Sequence, residues 1–243
     1  MSANGKEKIT EYLKSNILVT DGAMGTYFAS LYDTKEPPEY CNIKASKKIY
    51  DIHRQYIENG AKIIRTNTYA CNTFTLNYEI EDVKESIKCA CKIASEAAKG
   101  HEDIFIAGDI GPITYNHNDM QKQVSDEYVV IAKTMIESGV DAIVFETFPD
   151  MDDVKEALKY IAEKGNIFVI VQFAVTQFGY SISGLSAKKL ISDALDCEYT
   201  DAAGLNCGVG PGHMYGIFEK LGINTEKYLT ALPNAGYPQS VSN

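Results

Sequence analysis

Cys207 stands in the stretch Gly204-Leu205-Asn206-Cys207-Gly208-Val209-Gly210-Pro211, directly after the apolar run Ala202–Leu205. A thiol placed just past a strand faces the strand's open end, where its thiolate can serve as a metal ligand or a nucleophile. Gly208 and Gly210 let the backbone turn sharply, and Pro211 predicts the first residue of a helix. The plainer reading is a small buried apolar residue. Acidic and amide side chains recur at equivalent places. Asp21 opens Asp21-Gly22-Ala23-Met24-Gly25-Thr26, whose glycines can expose backbone amides to a carboxylate while Asp21 holds an ammonium group. A simple turn with Asp21 capping the next helix accounts for it equally. Asn67-Thr68 follows Ala61–Ile64 and either contacts a ligand or ties down its own loop. Asp109 in Asp109-Ile110-Gly111-Pro112 reads as loop structure. Glu146 comes directly after Ala142–Phe145, so its carboxylate sits at a desolvated rim and requires a partner, a substrate ammonium or a neighbouring group.

The remaining candidates look structural. Cys89 and Cys91, two apart on a helix, point to different faces. Cys41 falls in an early loop and Cys197 near a helix end, while Cys71 lies shortly after a strand. His53, His101, His117 and His213 show no metal-type spacing.

These residues need strands to carry them. Short apolar runs occur at 17–20, 61–64, 104–107, 142–145, 168–171, 202–205 and 228–232, most of them aliphatic throughout, as in parallel strands buried on both faces. Between them, helical spacing marks Ser46 to Glu58, with Ile49, Ile52, His53, Tyr56 and Ile57 on one face. It also marks segments around Val83–Ala94, Val129–Ile136 and Val154–Ile161. Strand–helix alternation implies right-handed parallel crossovers in a single domain, 1–243. Seven strands are expected. Polar residues at their carboxyl ends favour a (β/α)8 TIM-type barrel over an open doubly wound sheet, with the eighth strand missing.

At 243 residues and 45% hydrophobic composition the chain can build one sizeable core. A formal charge of −10 disfavours nucleic acid and anionic membrane surfaces as partners. There is no secretory leader or membrane-length apolar run, so a cytoplasmic location is expected and the six cysteines are read as reduced.

In family order, DGAMGT at 21–26, GAKIIRTNTY at 60–69, GDIGP at 108–112, FETFPDMDDVKEAL at 145–158, GLNCGVGP at 204–211 and LPNAGYP at 232–238 resemble the homocysteine S-methyltransferase family. DGAMGT and PNAG are closer to its cobalamin-dependent methionine synthase branch than to its betaine branch. The resemblance implies a barrel with zinc at its carboxyl-end mouth, held by three cysteine thiolates, where homocysteine sulfur joins the metal, loses its proton and attacks an activated methyl group. Cys207 matches the first zinc cysteine. Asn234 matches a residue whose amide approaches the metal when substrate is absent. Asp21 and Glu146 would hold the homocysteine ammonium, amides near Gly22 and Ala23 its carboxylate, and Asn67, Thr68 and Asn206 would line the pocket.

The sequence departs from the family in two places. The adjacent Cys-Cys pair that completes the zinc site at the end of an eighth strand is absent, so the 243-residue chain alone is expected to bind zinc weakly and to be inactive. Arg65 stands where relatives often carry an acidic or neutral residue, and it either points outward or forms a salt bridge. No cobalamin motif is present, so cobalamin and folate would act only through other modules. The alternatives are direct transfer from an S-methylmethionine- or betaine-type donor, a non-catalytic amino-acid-binding barrel, and a metal-free lyase or isomerase with Glu146 as base.

Overall fold

The computed structural model describes residues 4–101, 103–115 and 118–236. His117, and Tyr237 and Pro238 of the last motif, lie outside the described residues. In chain order the elements are α1 (Gly5–Leu13), α2 (Met24–Tyr32), α3 (Cys41–Lys44), α4 (Ser46–Glu58), β1 (Ile63–Arg65), α5 (Thr73–Leu76), α6 (Ile80–Ala98) and β2 (Phe105–Ile110). There follow α7 (Gln121–Glu137), β3 (Ala142–Phe148), α8 (Lys155–Lys164), β4 (Phe168–Phe173), α9 (Ala187–Asp196), β5 (Ala202–Asn206), α10 (Pro211–Leu221) and β6 (Tyr228–Leu232). The fold is α/β, with six parallel strands in one sheet ordered β1-β2-β3-β4-β5-β6.

Six of the seven expected runs are strands, and the first is not. Residues 17–20 contribute an isolated parallel bridge, Thr20 to Ile63. Val19 O accepts from Lys62 N and Ile63 N, and Asp21 N donates to Ile63 O. The contact is too short to register as a strand, and it leaves Ile17 86% and Val19 52% exposed. Runs with a strand on each side are buried instead: every residue of β4 and β5 is.

The chain divides into two compact units. The first comprises Met1–Val144 and Asp153–Val169. Its α4 spans the expected Ser46 to Glu58 and buries Ile49, Ile52, His53 and Ile57 of the predicted apolar face, while Tyr56 stays half-buried. Ile49 and Ile52 pack with Phe28 and Ile93, and Ile57 packs with Ala61, Ile64, Ala94 and Ala97, so α4 is fastened to α6 and to β1. Each fully buried isoleucine contributes roughly 2 kcal/mol. A capping box between Glu79 and Asp82 starts α6.

The second unit comprises Phe145–Asp152 and Ile170–Asn243. Here β5 pairs in parallel with β4 and with β6, Asn206 standing opposite Leu232. Helix α10 begins at Pro211, as the sequence predicts, with Gly210 at its N-cap. Ser186 caps α9 by accepting from Lys189 N.

Candidate functional site

In the first unit the polar residues gather around the Asp21–Ala23 loop. Asp21 is 7% exposed, and its partner is Arg65 of β1. Arg65 donates to Asp21 twice at 2.8 Å, from Nε to Oδ1 and from its backbone N–H to Oδ2. Its Nη2 reaches Gly22 O at 2.9 Å. Of the two alternatives for Arg65, the salt bridge is therefore the one realised. Asp21 does not cap α2, whose N-cap is Ala23 without a side-chain cap bond.

Tyr56 of α4 braces the same loop, its hydroxyl donating to Ala23 O at 2.9 Å. A Cβ at residue 22 would come within 2.8 Å of the Tyr56 ring and hydroxyl, so the close approach requires glycine. Tyr56 and Arg65 thus fix the carbonyls of Gly22 and Ala23.

Asn67 and Thr68 are tied inward. Asn67 Nδ2 donates to Asn42 Oδ1, and Asn42 Nδ2 donates to Asn67 O, both at 2.8 Å. Thr68 Oγ1 donates to Asp109 O at 2.7 Å, and Thr66 Oγ1 accepts from Asp109 N at 3.1 Å. The loop after β1 is laced to the end of β2 this way, Asp109 taking part through its backbone. On α4, the two nitrogens of fully buried His53 have no hydrogen-bond partner. Burial lowers its pKa to about 4 against a smaller opposing pull from Asp21.

In the second unit Glu146 lies within β3 and is 8% exposed. Next to it Thr147 takes the left-handed conformation, φ 68°. Asn206 closes β5, wholly buried, and makes a reciprocal pair with Thr147. Its Oδ1 accepts from Thr147 N at 2.8 Å, and its Nδ2 donates to Thr147 Oγ1 at 2.7 Å. The same Nδ2 lies 3.5 Å from Cys207 Sγ.

Cys207 is exposed, so the core reading does not hold. Its φ is 52°, and its N–H donates to Leu232 O at 3.0 Å. Gly208, also left-handed, passes so close to the Val175 carbonyl that a Cβ would collide with it. Asn234 lies alongside, its N–H donating to Val209 O at 3.0 Å. Cys207, Asn206 and the backbone of Asn234 are therefore brought together.

The other thiols differ. Cys71 and Cys91 are buried, and desolvation pushes both up to about 12. Burial also raises Cys41 and Cys89. Among the described residues no group of three or more His, Cys, Asp or Glu side chains is arranged to hold a metal ion. They do not make up a three-thiolate zinc set, to which Cys207 alone offers an exposed thiol. Among them, too, no helix is long and apolar enough to cross a membrane. Sequence reasoning missed Tyr56, Asn42 and Thr147 as parts of these arrangements.

The architecture is that of an α/β protein with six parallel strands. Homocysteine methyltransferase MmuM from Escherichia coli shares it. The metallated form matches with a TM-score of 0.81 at 16% identity, over 94% of this chain and 88% of that one. The apo form matches with a TM-score of 0.78 at 18% identity, over 94% and 86%. These likenesses show the fold. The profile of the homocysteine S-methyltransferase family matches residues 18–243, and the chain belongs to that family. The methionine synthase of Mycobacterium leprae is 29% identical over 252 residues, 95% of this chain and 21% of that protein. That of Mycobacterium tuberculosis is 28% identical over the same shares. The chain spans about a fifth of the length of these relatives.

Proposed function

We propose that the chain is the homocysteine-binding part of a methionine synthase, a (β/α)8-type barrel domain in which the thiol of homocysteine receives a methyl group. The observation that carries this reading is the exposure of Cys207 on a left-handed turn, at the position that matches a family zinc ligand. By the family match, Asp21 of the first unit holds the substrate ammonium, and Glu146 of the second is assigned the same role. Asp21 does so while bound to Arg65, because a carboxylate offers about four acceptor positions and Arg65 takes two. The same match assigns the amides of Gly22 and Ala23 to the carboxylate, and Asn67, Thr68 and Asn206 to further substrate contacts.

Zinc, which the family implies, would require thiolates beyond Cys207, and by the family match Asn234 would be a further donor. The methyl group comes from a cobalamin-bearing module, as the methionine synthase relatives suggest, with folate handled elsewhere in that protein. The test is an amide-resolved NMR titration of the chain with L-homocysteine under reducing conditions. Shifts concentrated at Gly22, Ala23, Glu146 and Asn206 to Gly208 support the reading. An unchanged spectrum, or shifts confined to other surfaces, would overturn it.

A further inference from the structure

We infer that Thr147 is a positioning residue for Cys207, acting through Asn206. Thr147 sits in the left-handed region, where a β-branched residue is a genuine outlier. Such strain persists only where the surroundings enforce it, and here two hydrogen bonds to one side chain do so. The Asn206 amide accepts from Thr147 N with its oxygen and donates to Thr147 Oγ1 with its nitrogen. Both ends of the amide are thereby assigned, and the group cannot flip without losing two bonds in a buried place. Only then does the second hydrogen of Nδ2 point at Cys207 Sγ.

Cys207 is itself left-handed and exposed, anchored through its backbone to Leu232 O, with Gly208 seated against Val175. The backbone thus fixes where the sulfur emerges, and the Thr147–Asn206 pair fixes which way it faces and gives it one N–H donor. Groups of this kind behind a reactive ligand are worth about 10–100-fold where they have been removed from metal sites.

The inference rests on Cys207 being the working sulfur, but its test needs neither metal nor homocysteine. The rate of Cys207 alkylation by iodoacetamide is followed at one fixed pH by peptide mass spectrometry, with the other cysteines of the same chain as internal references. Thr147→Val keeps the shape, drops the hydroxyl and is expected to slow Cys207 about fivefold, the worth of one hydrogen bond. Thr147→Ser is expected to restore the native rate. Asn206→Asp keeps the bond from Thr147 N, reverses the other so that the Thr147 hydroxyl donates, and replaces the donor to sulfur by an acceptor; it is expected to slow Cys207 at least about tenfold. This second variant stands if Thr147→Val fails to fold. Native alkylation rates in Asn206→Asp, or equal slowing by Val and Ser at 147, would overturn the inference. Native rates there together with homocysteine shifts at Cys207 would sink the positioning role alone. Slowing without those shifts would sink the proposed function alone.

Discussion

Arg65→Met is expected to destabilise the fold by about 3 kcal/mol, the usual cost of leaving one charge of a buried pair without its partner. The side chains of Arg65 and Asp21 are 13% and 3% exposed, so water cannot replace the lost guanidinium. Methionine roughly preserves the aliphatic stem and removes the donors to Asp21 Oδ1 and Gly22 O. The carboxylate then keeps the Arg65 backbone N–H as its remaining bond from that residue. Adding Asp21→Asn to the variant removes the stranded charge and is expected to recover about 1–2 kcal/mol, a coupling typical of residues in direct contact. Urea denaturation of the two single variants and the double variant reads both quantities. A cost below about 1 kcal/mol for Arg65→Met would mean that the pair behaves like a surface ion pair.

Acid is expected to weaken the same region through His53. Its pKa is about 4 in the folded chain, below the ordinary value of 6.5, because the imidazole is fully buried. Between those two values the unfolded chain carries the extra proton, so stability is complete above pH 6.5 and declines as pH falls toward 4. The lowered pKa corresponds to about 3 kcal/mol lost across that window. His53→Leu removes this contribution. Its stability between pH 7 and pH 4.5 should therefore fall less steeply than that of the native chain. Parallel slopes in the two proteins would show that His53 is not the group responsible.

The helices were legible where one periodic face decides them. Ser46 to Glu58 follows from Ile49, Ile52, His53, Tyr56 and Ile57, of which all but the half-buried Tyr56 are buried. The start of α10 followed from Gly210-Pro211 alone, because proline fixes its own φ and has no N–H to lose. The first run, 17–20, misled because an aliphatic stretch signals burial only when strands flank it, and flanking is a tertiary property.

At the site, residue types gave the exposed cysteine and the rim carboxylates, but not their partners. Arg65 meets Asp21 across 44 residues of chain, and no local pattern announces such a pairing. Tyr56 read as one more member of a helix face, and its hydroxyl became significant only when the Gly22 loop was seen to lie against it. Thr147 was the least legible, since a β-branched residue after aliphatic neighbours predicts plain strand and its left-handed turn runs against that preference.

Methionine formation by the full-length gene product, supplied with zinc, L-homocysteine and methylcobalamin or S-methylmethionine, tests the domain's function most directly. Labelled methyl groups should appear in methionine, and Cys207→Ser should reduce the rate at least about a hundredfold, beyond the loss typical of a residue behind a metal ligand. Methyl transfer continuing undiminished in Cys207→Ser, or none from either donor in the zinc-supplied native protein, would contradict it.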